Sequence, residues 1–143
     1  MQLEKQVCSL ELAKRLKKLR VKQDGLFYWA QVKIDGEEYN DIFKGAIRAG
    51  EPMKYIASAF TVAELGEMLP TCIPNSEPLT MNHGLFGYGK TAKHRWQCMY
   101  YDVKFFNEDT EADVRAKLLI YLLEHKLIYA NGGSDGQSAF KEN

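Results

Sequence analysis

Residues Gly84-Leu85-Phe86-Gly87-Tyr88-Gly89-Lys90-Thr91 match the pattern G-x-x-x-x-G-K-T at each fixed position, and their reading decides the fold. In a phosphate loop of that pattern, backbone N–H groups wrap an anion at a helix N-terminus, the lysine reaches the outer phosphates and the hydroxyl holds magnesium. Such a loop needs a buried strand before it and a helix after it. Here the chain enters its longest strand signal, residues 95–106, shortly after Thr91. The stretch before the pattern, Leu79-Thr80-Met81, is short and interrupted by Asn82-His83. A magnesium-positioning aspartate ends a separate buried strand, yet the nearest candidate, Asp102, lies only eleven residues beyond Thr91. The stretch therefore reads as a glycine-rich loop between two strands, with glycine supplying positive φ. Within 95–106, Trp96, Cys98, Tyr100 and Asp102 fall on one face and Gln97, Met99, Tyr101 and Val103 on the other. Neither face is cleanly polar, which predicts a central strand. Asn107-Glu108-Asp109 is expected to turn the chain.

Working outward, Thr110-Glu111-Ala112-Asp113 opens a helix running to about Lys126, with acids in its first turn and His125 and Lys126 in its last, as the helix dipole favours. Residues 118–123 are apolar all round, where a surface helix would show a polar stripe. Either the fold covers this helix or a second subunit does, so homo-oligomerisation stays open. Upstream, Thr61-Val62-Ala63-Glu64 is a capping box, followed by Leu65, Met68 and Leu69 and stopped by Pro70 and Pro74. Residues 70–78 read as a surface loop. Residues 26–34 form a strand by composition, Asp35-Gly36 a tight turn, 37–43 the return strand, and 53–60 another strand; 44–52 are ambiguous. Ser9 is a good N-cap for an amphipathic helix over 10–19, with Leu12, Ala13, Leu16 and Leu19 on one side and Lys14, Arg15, Lys17 and Lys18 on the other. Residues 131–143 are expected to be disordered. Together these elements predict a single α+β domain over 1–130, an antiparallel or mixed sheet of about 4–6 strands with three helices packed mainly on one face.

The charge balance narrows the function. Nineteen basic residues cancel nineteen acidic ones, which gives no global pull toward nucleic acid, membrane or acidic substrate. Cys8, Cys72 and Cys98 are an odd, widely spaced set, not a disulfide framework, and suit a reducing compartment. The first residues carry an acid and no long apolar run, and 118–123 is too short to span a bilayer. The expected location is the cytoplasm.

Candidate site residues fall into two groups. Phe86, Tyr88, Lys90, Lys93 and Arg95 belong to a flexible, locally basic loop that can close on an anionic ligand, or can simply be a solvated hairpin tip. Lys14, Lys17 and Lys18 sit in a basic stretch whose start resembles a helix-turn-helix, although Leu26-Phe27-Tyr28-Trp29 then reads as a strand. The histidines, His83, His94 and His125, share no metal spacing with the cysteines, so no metal and no cofactor is expected. No serine nucleophile elbow is present, and Glu108, Asp109, Glu111 and Asp113 fit helix capping. No catalytic residue is assigned. The aromatic strands are explained mostly by core packing, but an exposed aromatic face can bind bases or a partner.

Three segments carry a resemblance. They are Ser9-Leu10-Glu11-Leu12-Ala13-Lys14 with Leu26-Phe27-Tyr28-Trp29, residues 58–70 from Ser58-Ala59-Phe60 to Leu69-Pro70, and Thr110-Glu111-Ala112-Asp113 with residues 116–122. Together they resemble a family of short uncharacterised proteins from phages and bacterial prophage regions. The resemblance brings no activity and no catalytic residues. It implies a mobile-element accessory protein acting in the bacterial cytoplasm, and it favours a binding role. The leading expectation is a non-enzymatic binding module that engages a host protein or small ligand. The alternative is nucleic-acid binding through the basic first helix. A nucleotide-binding enzyme using Lys90 and Thr91 ranks third.

Overall fold

The computed structural model describes residues 2–45, 47, 50–71, 79–86, 93–100 and 106–130. After a 3-10 turn at Leu3–Lys5 come α1 (Leu10–Lys18), β1 (Phe27–Ile34), β2 (Glu37–Lys44), β3 (Met53–Ser58), α2 (Val62–Met68), β4 (Thr80–Phe86), β5 (Lys93–Met99), β6 (Phe106–Glu108) and α3 (Glu111–Glu124). The fold is α+β. The described strands do not form one sheet: they divide into two antiparallel three-stranded sheets, β2-β1-β3 and β4-β5-β6. One border of the first sheet is the outer edge of β3. Helix α1 packs beside that strand, and Lys17 Nζ donates to the Ile56 carbonyl at 2.8 Å. A helix and its lysine meet the edge where a further strand would pair.

The first sheet is seeded by its turn. Asp35 and Gly36 both have positive φ, 53° and 81°, and Ile34 pairs with Glu37 across them. That is the conformation in which a two-residue loop matches strand twist. Toward the far end of β2 from this turn, the Ile42 N–H donates to Asp41 Oδ1 at 2.8 Å. Along β1, Tyr28, Ala30 and Val32 are buried in alternation with half-buried neighbours. Trp29 points the other way, into the main core, and its Nε1 donates to the Cys8 carbonyl at 3.1 Å.

The core is organised around α3. Its Ala112, Val114, Ala116, Leu118, Leu119, Ile120 and Leu122 are all buried, against α1, α2, β5 and β6. Arg15 and Glu124 join α1 to α3 at 2.8 Å. The apolar run at 118–123 is thus covered by the chain's own elements. Each such leucine or isoleucine contributes about 1.5–3 kcal/mol on burial.

Helix ends show where local chemistry held and where it did not. At α2 the capping box forms: Thr61 Oγ1 accepts from the Glu64 N–H and Glu64 Oε1 from the Thr61 N–H. At α3 the Thr110 side chain accepts from the Asp113 N–H. Ser9 occupies the N-cap position of α1, but its hydroxyl makes no cap. Instead its backbone N–H donates to Asp113 Oδ1 at 2.8 Å. The C-termini of α1 and α3 close in Schellman fashion around non-glycine residues, Arg20 at φ 68° and Lys126 at φ 56°. Val21 N–H donates to the Leu16 carbonyl and Leu127 N–H to the Leu122 carbonyl, the bond that defines the motif.

Two expectations around the long strand signal are corrected or left. Strand β5 is central in its sheet, as its two-sided pattern predicts, but it ends at Met99. Phe106–Glu108 is a third strand rather than a turn, paired to β5 with Trp96 opposite Glu108. The intervening 101–105, the proline loop at 72–78 and the tail at 131–143 lie outside the described residues. Among the described residues no helix is long and apolar enough to cross a membrane.

Candidate functional site

Three residues of the glycine pattern are strand rather than loop. Gly84, Leu85 and Phe86 continue β4, opposite Arg95, His94 and Lys93 of β5. Strand β5 begins at Lys93, two residues past Thr91, so among the described residues a strand and not a helix follows the pattern. Tyr88 and Lys90 lie outside the described residues. Phe86 and Lys93 form the last pair of the ladder, and Lys93 is exposed. Arg95 is turned to the neighbouring strand: its guanidinium lies 3.8 Å from Glu108 and 3.5 Å from Asp109. Its Nε is buried and makes no hydrogen bond. The charge expected to meet an anionic ligand instead helps to fasten β6.

On α1, Lys14, Lys17 and Lys18 are all exposed. Lys17 is also engaged within the chain, at the Ile56 carbonyl and 5.1 Å above the Tyr55 ring. Strand β1 follows α1, so the second helix of a helix-turn-helix is not formed.

The structure gathers a different set. The N-terminal segment is held at two points. Val7 bridges to Thr61 at the start of α2, and Ser9 N–H binds Asp113 in the first turn of α3. The starts of both helices are thereby drawn to one place. Between them and β5 opens a recess of about 570 Å³. Trp96, Val62 and Ala63 supply its apolar lining, and Lys5, Gln6, Thr61, Asp109, Thr110 and Glu111 its polar lining. Trp96 is half-buried. The cross-strand pair sets His83 over its indole, with ring centroids 4.6 Å apart and planes 28° apart. His94 lies 5.7 Å from His83. Both histidines are exposed, so a strip of rings runs from the β4–β5 hairpin to the recess.

Charge around the recess is largely paired from behind. Glu108 forms ion pairs with Lys117 and Arg95. Glu111 accepts two hydrogen bonds from Arg115, at 3.1 and 2.8 Å. Burial raises the Asp113 carboxyl above the usual carboxylate range, opposed by the hydrogen bond from Ser9. Cys8 and Cys98 are buried, and burial pushes both thiols up to about 12. They are protonated at neutral pH and unreactive. The buried Ser58 belongs to a satisfied network: its N–H donates to Gln23 Oε1 at 2.8 Å, and its hydroxyl contacts Tyr55 at 3.2 Å and the Gly25 N–H at 3.3 Å. Among the described residues no three histidine, cysteine or acidic side chains converge as a metal site. Comparison with protein-family models, with curated proteins and with solved structures finds no match to this chain.

Proposed function

We propose that this chain is a non-enzymatic binding module that takes a small ligand, or a segment of a host protein, in the recess at Trp96. The observation that carries this reading is the recess itself. Its volume of about 570 Å³ falls in the range of small-molecule sites, and such sites combine an apolar wall with a few placed polar groups. The wall here stands on a central strand and two capped helix starts, so it is formed before any ligand arrives. The segments that resemble phage and prophage proteins support an accessory role in the bacterial cytoplasm. The test is a fragment titration followed by amide chemical shifts, with wild type against Ala63→Trp, which fills the recess from an exposed helix position. Shifts clustered at Trp96, Val62 and Thr110 in wild type alone support the site. Identical responses in both proteins remove it.

A second reading is nucleic-acid binding through α1. Lys14 and Lys18 are exposed one helical turn apart and so share a face. That reading requires binding that weakens with salt and is lost in Lys14→Glu with Lys18→Glu. A nucleotide-binding enzyme using Lys90 and Thr91 is less supported, because a strand follows where the chemistry wants a helix. Thermal shift with magnesium and ATP, wild type against Lys90→Ala, tests it. Homo-oligomerisation stays open, and sedimentation at rising concentration decides it.

A further inference from the structure

Building on the recess as the binding site, we infer that its ligand class is a nucleobase carrying phosphate, taken either as a free nucleotide or as an unpaired nucleotide of a single strand. Three independent features of the site converge on that chemistry.

The first is the ring strip. The β4–β5 register stacks His83 on Trp96 with centroids 4.6 Å apart and sets His94 tilted beside His83 at 5.7 Å, with both histidines exposed. Two exposed rings and a half-buried indole in succession form a surface on which unpaired bases stack.

The second is the hydroxyl chemistry at its mouth. Thr61 Oγ1 accepts from the Glu64 N–H and Thr110 Oγ1 from the Asp113 N–H. Each cap therefore uses a lone pair and leaves the hydroxyl proton to be donated elsewhere. Both threonines line the recess. Two O–H donors beside an indole suit the carbonyl and ring-nitrogen acceptors on a base edge.

The third is charge. Among the described residues of β4 and β5 no aspartate or glutamate occurs, whereas Lys93 does. The recess acids are already met by internal cations, Asp109 by Arg95 and Glu111 by Arg115. Lys5 lines the recess and is exposed, and Lys93 is exposed at the hairpin end. Together they favour a ligand that brings negative charge with its ring.

The experiment uses the full chain and a short fluorescently labelled single-stranded DNA oligomer, read by anisotropy at low salt. The same sequence as duplex and an unlabelled mononucleotide serve as competitors. Single strand is expected to bind and duplex to compete poorly. Trp96→Ala should weaken binding about ten-fold or more, with Trp96→Phe retaining most of it. Ala63→Trp and Lys5→Glu should weaken it too, while Lys14→Glu with Lys18→Glu should leave it unchanged. Displacement by the mononucleotide identifies a free nucleotide as the source; oligomer binding without displacement identifies a single strand. The inference is overturned if neither probe binds, if duplex binds equally well, or if only the α1 charge reversal matters. Indole and other uncharged aromatic fragments separate this failure from that of the site. If fragments bind wild type but not Ala63→Trp while nucleotides do nothing, the ligand class is wrong and the recess stands. If nothing binds, both readings fall.

Discussion

In β2-β1-β3 the neighbours across the ladder are rings: Tyr28 lies 6.1 Å from Phe43 and 5.7 Å from Tyr55, and the hairpin is closed by two residues with positive φ. In β4-β5-β6 the inner residue Cys98, and Tyr100 just past β5, are fully buried in the main core, against α3, and the rings His83 and His94 stand outside it. The first sheet adds local pairs and a turn to the Trp29 and Ala57 face that it lends to the main core; the second packs on a helix that follows it in the chain. The aromatic residues of the first sheet support one another, leaving Ile34 and Tyr39 at 48% and 45% exposure near the turn. Those of the second are released for contact because α3 supplies the packing. The recess therefore lies beside the sheet that packs on α3.

Leu118→Ala strikes that dependence hardest. The side chain is fully buried in α3, and its truncation should cost about 2–5 kcal/mol. Hydrogen exchange should show β5 amides losing protection before those of β1; simultaneous loss would show that the two sheets open as one unit. Gly25→Ala attacks the other side. A Cβ there would lie 3.1 Å from Ser58 Cβ, 3.2 Å from the Phe27 carbonyl oxygen and 3.3 Å from Phe60 Cδ1. Crowding of that kind costs about 1–3 kcal/mol, and the loss in denaturant midpoint should come with perturbed β1 and β3 signals. Thr61→Ala removes the cap of α2 and should cost about 1 kcal/mol, with chemical-shift changes confined to α2 and the recess. Lys126→Gly relieves a left-handed residue and should gain about 0.5–1 kcal/mol; a lower Tm would mean that the C-terminal closure of α3 needs the lysine.

Asp113→Asn probes the tie between the N-terminal segment and the second half. Burial raises the carboxyl in the folded state, so the fold binds that proton more tightly than the unfolded chain does. Its contribution to stability is complete below the unfolded value and is lost as pH rises through the folded value. The amide can still accept from Ser9 but does not titrate. Wild type should therefore lose ground to Asp113→Asn between acid and neutral pH, measured as the difference in Tm. A difference that grows in favour of wild type toward neutral pH overturns the assignment.

Several of these elements are legible in the chain because one residue type answers one local demand. Asp35-Gly36 reads as a turn because both positions must take positive φ, and Thr61 with Glu64 reads as a cap because each satisfies the other. Ser9 misled for the opposite reason: its partner, Asp113, is a helix away near the other end of the chain. Strand β6 was hidden in Asn107-Glu108-Asp109, turn formers by composition, because Arg95 and Lys117 hold Glu108 from β5 and α3. Arg20 and Lys126 end helices without the glycine that usually marks such ends. The division into two sheets depends on which edges meet, and no periodicity encodes that. Trp96 stood out as an aromatic residue, but the recess brings together Lys5, Thr61, Trp96 and Thr110. The only trace of it in the sequence is the pair of capping signals that start α2 and α3 around it. His83 and His94 gain their meaning only from the register that sets them side by side.

The side-chain bonds along the edges of the first sheet bear on how crowded chains behave. A two-residue turn makes Ile34 and Glu37 a hydrogen-bonded pair, so alternate residues of β2, Ile42 among them, direct their backbone groups away from β1. The Ile42 donor is taken by Asp41, and on the far side Lys17 takes the Ile56 acceptor. A strand from a neighbouring molecule meets one occupied backbone group at either border, the Ile42 N–H held by a carboxylate or the Ile56 carbonyl held by an ammonium. Among the described residues Ile34 and Tyr39 are exposed on this sheet, and the two occupied groups make its borders poorer templates for strand addition than bare edges would be.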